Sequence, residues 1–243
     1  MRIALCLYGQ PRNYEKGYET IKKHILDKYN SVDVFFHAWE TDKEYEASPW
    51  RPVNKNKVNL EEVVNLYKPK SYLIEKSMTF FPPLGNGYDK TSHKNNCSNI
   101  LSQFYSRTSV RNVFLNYCQT NSKEYDIVIV TRFDINIIKL PSVLNSLNIS
   151  FCMFHQDRPL IFNDNMIISG VENFIKLFNF YPNLNRFVIQ GPNTKNDYGH
   201  MKHSEYILNG TAINAEEFLS ASLIDNDLFG FTEKNIDLQT ELF

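Results

Sequence analysis

A strand–helix–strand pattern in the first forty residues restricts the fold more than any other feature of this sequence. The apolar run Arg2–Tyr8 is short and is stopped by Gly9 and Pro11, as expected of a buried strand. Residues Tyr14–Tyr29 space their apolar side chains as an amphipathic helix does, and Val32–His37 form a second apolar run. A unit of this length forms two parallel strands joined by a right-handed crossover. We therefore predict an α/β fold with a mostly parallel central sheet flanked by helices.

The remainder of the chain continues this alternation and then becomes mixed. The strongest strand signal is Tyr125–Thr131, whose continuous β-branched character is typical of a central strand that is covered on both faces. The same periodicities predict further strands at Tyr72–Glu75, Ile135–Ile138, Ile149–Phe154 and Met166–Ser169, and helices at Leu60–Tyr67, Cys97–Tyr117, Val171–Phe180 and Met201–Leu208. Because the 243 residues contain no internal repeat, we predict a single domain over residues 1–243 with a mixed carboxyl-terminal half.

Charge and composition exclude several classes of protein. The chain contains 26 lysines and arginines against 27 aspartates and glutamates, so it lacks the positive excess of a dedicated nucleic-acid-binding protein. Hydrophobic residues make up 42% and charged residues 22%, as in globular rather than disordered chains. Residues 1–120 hold 17 basic and 12 acidic side chains, whereas residues 121–243 hold 9 and 15. This contrast is either ordinary variation on solvated surfaces or the mark of an anionic ligand on the amino-terminal half.

The cysteines and the amino terminus bear on the location of the protein. Cys6, Cys97, Cys118 and Cys152 lack the CxxC spacing of a zinc or redox site, and we expect reduced thiols. The apolar amino terminus is too short for the hydrophobic region of a secretion signal, and no apolar run reaches about 18 residues. We therefore expect a cytoplasmic protein without a transmembrane segment.

Polar residues occur at the ends of the predicted strands, where ligands bind in α/β proteins. In an open sheet of this kind the ligand lies beyond the carboxyl ends of the strands. The residues at those positions are Tyr8, Gly9, Gln10 and Arg12 at the first strand, His37 at the second, Arg132 and Asp134 after the central strand, and Asn163, Asp164 and Asn165 before a later strand. We expect these residues to converge on one crevice.

The loop after the first strand has features of an anion-binding turn. Gly9 allows a ligand to approach the backbone closely, Pro11 fixes the turn, and Arg12 offers a planar guanidinium that suits phosphate oxygens. The loop matches neither GxGxxG nor GxxxxGK[ST], which disfavours dinucleotide binding and ATP hydrolysis of the P-loop type. The alternative is an ordinary strand-to-helix turn with a surface arginine.

Asp134 closes the central apolar strand and needs a positive partner if it is buried. Mn²⁺ or Mg²⁺ is one such partner, because these ions prefer oxygen ligands and often bridge a diphosphate. Asn136 would point the same way in an extended chain and could be a second oxygen donor. A salt bridge to neighbouring Arg132 is the alternative.

Two further groups of polar residues allow both a structural and a functional interpretation. Asp164 lies in an Asn-Asp-Asn run, which is either a turn or the source of a general base or sugar-hydroxyl acceptor. Gln103, Arg107 and Arg111 share one face of a predicted helix, so Arg107 or Arg111 faces either the crevice or water.

A group of glycosyltransferase-like proteins from bacteria and large viruses, which have a GT-A type fold, resembles this chain in six segments. The segments are LCLYGQPRNYEKGY, DVFFHAW, SQFYSRTSVRNVF, YDIVIVTRFDINI, NDNMIISGVENF and HSEYILN. The resemblance extends from residue 1 to about residue 210 and is most specific at GQPR and TRFD.

The resemblance implies a GT-A like domain in which residues 1–138 bind a nucleotide-diphosphate sugar and residues 139–243 bind the acceptor. It implies transfer of the sugar to a glycan or polysaccharide. Such enzymes usually hold Mn²⁺ or Mg²⁺ with a DxD motif at the end of a central strand, and the matching residues are Arg132, Phe133 and Asp134. Because arginine replaces the first aspartate, Arg132 could neutralise the diphosphate itself, with Asp134 holding a metal, ribose or sugar.

The resemblance also implies roles for individual residues. Donor-binding residues would be Tyr8, Gly9, Gln10, Arg12, His37, Arg107, Arg132 and Asp134. An inverting enzyme needs a carboxylate that removes the acceptor proton, for which Asp164 is the first candidate and Asp157 the second, whereas a retaining enzyme needs none. Two other functions stay open, a non-catalytic nucleotide- or glycan-binding module and a sugar nucleotidyltransferase. The expected location is the cytoplasm of a bacterium or of a virus-infected cell, which is compatible with peripheral membrane contact.

Overall fold

A computed structural model describes residues 1–41, 58–80, 94–152, 163–179, 219, 222–223, 226–235 and 237–243. Its strands are β1 (Ile3–Gly9), β2 (Val32–Glu40), β3 (Ser71–Lys76), β4 (Ile127–Arg132), β5 (Ile135–Lys139), β6 (Ile149–Cys152), β7 (Met166–Gly170), β8 (Thr232–Asn235) and β9 (Gln239–Leu242). Its helices are α1 (Tyr14–Ile21), α2 (Leu60–Tyr67), α3 (Lys94–Asn121) and α4 (Val171–Leu177), with a π-helical turn at Lys22–Leu26 and a 3₁₀ turn at Phe229–Phe231.

Seven strands form one mixed sheet in the order β3-β2-β1-β4-β7-β6-β8, and β5 pairs with β9 in a separate two-stranded sheet. The pairs β3–β2, β2–β1, β1–β4 and β6–β8 are parallel, whereas β7 runs antiparallel to both of its neighbours. The predicted α/β class and mostly parallel sheet are therefore confirmed, and the arrangement is compatible with a Rossmann-like fold. The change to antiparallel pairing at β7 accounts for the mixed second half.

Strand β1 lies in the middle of the sheet and is buried on both faces. Its alternate side chains Leu5 and Leu7 belong to a core with α1 and α2, whereas Cys6 and Tyr8 belong to a second core with α3 and α4. Such double coverage explains why the run IALCLYG is apolar throughout rather than alternating. Helices α1 and α2 cover one face of the sheet and α3 covers the other. The chain adds β2 and β3 on one side of β1 and then adds β4 on the other side of β1.

Gly17 sets the distance between α1 and the end of β4. A Cβ atom at this position would lie 1.7 Å from the carbonyl oxygen of Phe133. That oxygen belongs to the backbone, so it cannot move away without a shift of the main chain. The helix therefore needs glycine here for close approach.

Replacing Gly17 with alanine is expected to destabilise the protein by about 3 kcal/mol, the upper part of the range for overpacking a core. The usual gain of about 1 kcal/mol for alanine over glycine in a helix would be outweighed. Urea unfolding followed by circular dichroism measures the change. Gly230→Ala is the control, because a Cβ at Gly230 meets nothing within 4 Å. Equal free energies of unfolding in the two variants would contradict this account of α1 packing.

Several element boundaries differ from those predicted. Strand β2 continues three residues past the predicted end to Glu40, because Trp39 and Glu40 pair with β3. The predicted helix Tyr14–Tyr29 changes to a π-helical turn after Ile21. Helix α3 begins at Lys94 and ends at Asn121, beyond both predicted limits. Strands β8 and β9 have polar sequences that gave no strand signal, and the helix predicted at Met201–Leu208 lies outside the described residues.

Two findings concern the expected location and redox state. Within the described part of the chain, none of the helices is both long enough and apolar enough to cross a membrane. Cys6, Cys118 and Cys152 are free thiols, and Cys6 and Cys152 are buried. The side chain of Cys97 lies outside the described residues.

Candidate functional site

Several of the residues predicted to form a crevice lie where β1 and β4 end. These two parallel neighbours have their carboxyl ends side by side, with Tyr8 paired to Arg132. The direction of the chain connections reverses between these strands, which is where open α/β sheets bind ligands. Strand β7 runs antiparallel to β4, so its beginning lies at the same edge, with Met166 paired to Thr131. The Thr131 hydroxyl donates to the Asn165 carbonyl oxygen at 2.8 Å and fixes the segment that carries Asp164.

Arg107 of α3 is fully buried and joins β1 to the segment before β7. Its Nη2 donates to the Tyr8 hydroxyl at 2.6 Å, to Asp164 Oδ2 at 2.8 Å and to the Asp164 carbonyl oxygen at 2.9 Å. The guanidinium lies 4.7 Å from the ring centroid of Tyr8 and 5.0 Å from that of Phe104, within the range of cation–π attraction. No described residue accepts a hydrogen bond from its buried Nε and Nη1.

Electrostatics keep Arg107 charged although it is buried. Burial acts to lower the pKa of Arg107, but Tyr8 and Asp164 more than offset this effect and raise it. Burial also raises the pKa of the Tyr8 phenol above its ordinary value, which keeps the hydroxyl protonated. The Tyr8 hydroxyl can therefore donate to the Asp164 carbonyl oxygen, at 3.1 Å, while it accepts from Arg107.

Among the described residues, hydrogen-bond donors engage one carboxylate oxygen of Asp164 and not the other. Gln103 Nε2 donates to Oδ2 at 2.5 Å, and Arg107 donates to the same atom. No described residue donates to Oδ1, and the side chain is 13% exposed. The Asn-Asp-Asn run forms a turn, because the Asn163 side chain accepts from the Asn165 amide at 2.8 Å. The turn aims Asp164 at α3.

Arg132 and Asp134 form a second ion pair directly after β4. Arg132 Nε donates to Asp134 Oδ1 at 2.7 Å, and Nη2 donates to Oδ2 at 2.8 Å. Asp134 is 3% exposed and Arg132 is 19% exposed. Burial acts to lower the pKa of Arg132, but Asp134 outweighs it and the pKa is raised. Phe133 between them is fully buried against Phe36 and Tyr67.

The described residues do not by themselves make a metal site. Arg132 occupies both carboxylate oxygens of Asp134 in a two-pronged contact, so a cation would have to displace it. Among the described residues, no three histidine, cysteine, aspartate or glutamate side chains lie close enough together to hold a metal ion. The Asn136 side-chain nitrogen Nδ2 donates to Glu241 Oε1 on β9 at 2.6 Å, and the use of its oxygen as a second ligand stays a prediction. Binding of Mn²⁺ or Mg²⁺ stays a prediction.

The loop after β1 leaves space over its backbone. Gly9 has a φ of 96°, which disfavours any residue with a side chain, and a Cβ there would meet nothing within 4 Å. The Arg12 amide donates to the Gln10 carbonyl oxygen at 2.8 Å and closes a tight turn. The Gln10 and Arg12 side chains are half-buried. A ligand could therefore approach Gly9 without displacing atoms of the described residues.

His37 is fully buried and has both ring nitrogens engaged. Nδ1 lies 2.6 Å from Ser106 Oγ and Nε2 lies 3.0 Å from Glu75 Oε2. The Gly9 amide donates to Ser106 Oγ at 2.8 Å. Burial lowers the pKa of His37, an effect that Glu75 only partly opposes, so the ring is neutral at pH 7. In this arrangement His37 supports the end of β1 and has no nitrogen left for a ligand; donor binding by His37 stays a prediction.

Sequence reasoning missed Ser106 and Glu75. Ser106 directly precedes the candidate residue Arg107 on α3. Glu75 lies at the carboxyl end of the edge strand β3, which is where ligand-binding residues are expected. The signal available in the sequence was an acidic side chain, Glu75, directly after an apolar run. The structure pairs Glu75 with Trp39. The two contacts of His37, with Ser106 and with Glu75, join residues that are 69 and 38 positions apart in the sequence, so they have no local sequence signature.

Other predicted residues lie elsewhere. Arg111 turns away from the crevice and donates from Nε to the Ile175 carbonyl oxygen of α4 at 2.8 Å, which leaves Arg107 as the arginine of this helix at the site. Asp157 lies outside the described residues. A cavity of about 360 Å³ opens at the carboxyl end of β2, lined by Trp39, Glu40, Thr41, Val58, Asn59, Leu60 and Glu61. Neither ion pair lines it.

Comparison with protein-family models gives no match for this chain, and a search of curated proteins gives none either. Assignment of function therefore depends on the chemistry of the site.

Proposed function

We propose that the protein is a glycosyltransferase, which transfers a sugar from a nucleotide-diphosphate sugar to a glycan or polysaccharide acceptor within a GT-A like fold. The observation that carries this proposal is the geometry of Asp164. One of its carboxylate oxygens is anchored by Gln103 and Arg107, and the other is left for a substrate, at the sheet edge where α/β proteins bind ligands. The sequence resemblance at GQPR and TRFD supports the same reaction class.

In the inverting form of the reaction, Asp164 is the general base. The acceptor hydroxyl transfers its proton to Asp164 Oδ1 as its oxygen bonds to the anomeric carbon of the donor. The bond from that carbon to the diphosphate oxygen breaks, and the nucleoside diphosphate leaves with the electron pair. Positioned acid–base groups of this kind contribute about 10²- to 10⁴-fold in rate. In a retaining enzyme Asp164 would instead hold a sugar hydroxyl.

Arg132 is proposed to neutralise the charge that develops on the leaving diphosphate. A fixed cation at the point where negative charge develops lowers the barrier without reorganisation. Of the two arginines that form these ion pairs, Arg132 is the one with exposed surface, and its planar guanidinium can exchange a carboxylate for phosphate oxygens. Gly9, Gln10 and Arg12 would hold the nucleotide at the end of β1, where the backbone is open.

Ligand-dependent stability tests the proposal most directly. Melting curves are recorded with UDP-, GDP- and other nucleotide sugars, with Mn²⁺, with Mg²⁺ and with a chelator. A nucleotide sugar at 100 times its dissociation constant is expected to add about 2.7 kcal/mol to the free energy of unfolding. If no nucleotide sugar shifts the melting temperature under any of these conditions, the proposal is wrong.

Replacing Arg132 with methionine is expected to weaken binding of a nucleoside diphosphate about 10-fold or more, because a hydrogen bond to a charged group contributes about 1.5–3 kcal/mol. Isothermal titration calorimetry with UDP and GDP measures the change. Lys139→Met is the matched control, since Lys139 is an exposed cation at the end of β5 that pairs with Asp237. Equal loss in both variants would indicate general electrostatics, and no loss in either would remove Arg132 from the donor site.

A non-catalytic nucleotide- or glycan-binding module is the second candidate. It is favoured by Asp134, whose carboxylate oxygens are both occupied by Arg132. The two candidates differ in turnover. A protein that binds a nucleotide sugar but releases no nucleoside diphosphate with any glycan acceptor would support the binding module. A sugar nucleotidyltransferase has less support, because the glycine-rich phosphate loop typical of that class is absent near β1.

A further inference from the structure

We propose that Glu75, His37 and Ser106 form a hydrogen-bonded relay that fixes the backbone amide of Gly9 and so positions the loop that receives the ligand. The relay runs across the carboxyl ends of β3, β2 and β1 through α3. It lies beside the proposed active site and rests on the proposed function only for the identity of the ligand.

The direction of every hydrogen bond in the relay follows from its chemistry. The Glu75 carboxylate can only accept, so His37 Nε2 carries the proton and donates to Oε2. A neutral ring protonated on Nε2 has Nδ1 as an acceptor, so the Ser106 hydroxyl donates to Nδ1. The Ser106 oxygen then accepts from the Gly9 amide. All these groups are satisfied by this one arrangement, which makes it specific.

Burial makes the relay hard to replace. His37 and Ser106 are 0% exposed, and a buried polar group that loses its partner incurs a desolvation penalty of about 1–3 kcal/mol. Trp39 and Tyr105 pack against the His37 ring at centroid distances of 4.7 Å and 5.9 Å and limit its rotation. Tyr105 also donates to Glu75 Oε1 at 3.2 Å and fixes the outer end of the relay.

Gly9 is the point at which the relay acts on the site. Its φ of 96° bends the chain out of β1, and the next residues are Gln10, Pro11 and Arg12. A backbone amide that is held by Ser106 sets where this bend occurs. Since Tyr8 bonds to both Arg107 and Asp164, a shift of Gly9 would also disturb the adjacent residue that organises Asp164.

The residue types match those of a serine–histidine–acid nucleophile system, but the geometry differs from one. Ser106 is fully buried within α3, and its oxygen already accepts from a backbone amide, so it is not presented to a substrate. Positioning is therefore the role proposed for Ser106, and nucleophilic attack is not. Covalent labelling of Ser106 by a fluorophosphonate, detected by mass spectrometry, would overturn this conclusion.

Three variants of the full chain test the relay. Ser106→Ala removes the hydroxyl, Glu75→Leu removes the terminal acceptor, and Glu75→Gln keeps an acceptor for His37. Thr108→Val is the matched control, because it removes a buried hydroxyl two residues along α3 that donates to the carbonyl oxygen of Phe178, directly after α4. Circular dichroism melting confirms that each variant is folded at the temperature of the measurements.

The first readout is independent of any ligand. In nitrogen-15 NMR spectra the His37 ring is expected to be the Nε2-protonated tautomer, and hydrogen exchange of the Gly9 amide is expected to be about 10-fold faster in Ser106→Ala, as loss of about 1.4 kcal/mol would give. Glu75→Leu is expected to accelerate exchange in the same direction, whereas Glu75→Gln and Thr108→Val leave it near the wild-type rate. Unchanged Gly9 exchange in Ser106→Ala, or an Nδ1-protonated ring, would overturn the relay.

The second readout separates this inference from the proposed function. Affinities for UDP and GDP are expected to fall about 3- to 10-fold in Ser106→Ala and Glu75→Leu, with Glu75→Gln restoring the wild-type affinity. Unchanged affinity alongside faster Gly9 exchange would overturn the link between relay and ligand. If the wild-type protein binds neither nucleotide, the proposed donor class is wrong, and the Gly9 exchange rates decide the relay alone.

Discussion

Replacing Asp164 with asparagine is expected to lower the rate of sugar transfer about 10²- to 10⁴-fold while leaving donor affinity almost unchanged. Asparagine keeps the shape of the side chain and can still accept from Gln103 and Arg107 through its carbonyl oxygen, so the site should stay assembled. What it loses is the ability to take a proton at the oxygen that no described residue engages. The expected effect therefore falls on kcat and spares KM for the donor.

The measurement is release of nucleoside diphosphate from the nucleotide sugar identified by the melting experiment, with and without acceptor. Asp237→Asn is the matched control, because Asp237 is an exposed carboxylate on the same half of the chain, paired with Lys139. A variant Asp164→Asn with wild-type kcat would remove Asp164 as the base and leave a retaining mechanism or Asp157 as the candidates. Asp134→Ala is expected to abolish transfer too, but through the loss of the partner that orients Arg132.

Replacing Arg107 with leucine is expected to destabilise the protein by about 3–5 kcal/mol, the usual cost of removing one member of a buried ion pair. Arg107 is 0% exposed and donates to the Tyr8 hydroxyl as well as to Asp164, so the variant leaves the carboxylate with Gln103 as its donor and without a cationic partner, and the phenol loses its donor. Because the guanidinium also lies over two aromatic rings, leucine recovers only part of the packing.

Guanidinium chloride unfolding measures this change, and Arg111→Leu is the matched control one helical turn further along α3. Arg111 is only partly buried, and its Nε bonds to a backbone carbonyl rather than to a carboxylate, so a clearly smaller loss is expected. A double-mutant cycle with Asp164→Asn isolates the coupling between the two side chains. Zero coupling, or equal losses for the two arginines, would contradict the role given to the Arg107–Asp164 pair.

Metal dependence is linked to the same arrangement. If Arg132 neutralises the negative charge of the diphosphate, a chelator is expected to leave nucleotide binding intact. If a divalent cation displaces Arg132 from Asp134, binding should instead require the added metal. Melting curves with and without a chelator distinguish the two cases, and Arg132→Met sharpens the comparison because it frees both oxygens of Asp134 for a cation.

The uneven charge of the two halves of the chain does not predict how charges are arranged at the site. Arg107 comes from the basic half, but Arg132 comes from the acidic half together with Asp134 and Asp164. The four side chains form two neutral pairs in space. Charge summed along the sequence is therefore a poor guide here, because buried charges pair with partners that are distant in the chain.

The sequence by itself determined the local elements and which residues end the central strands. Apolar runs of period two and amphipathic runs of period 3.6 are local properties, so β1, β4, α2 and the parallel β1–β2 unit followed from them. Prediction from these patterns failed where the local periodicity is weak. The sequences TEKN and QTEL form β8 and β9 because other strands pair with them, and the π-helical turn after Ile21 has no periodic signal.

Only the tertiary structure decided how the candidate residues are used. The antiparallel course of β7 carries Asp164 to the carboxyl ends of β1 and β4, and a contact across 57 residues then pairs it with Arg107. Asp134 pairs with the adjacent Arg132, whereas His37 turns inward to Ser106 and Glu75. Periodicity determines which side of an element is buried. The partner that neutralises a buried charge is determined by which side chains the packed sheet brings within hydrogen-bonding distance.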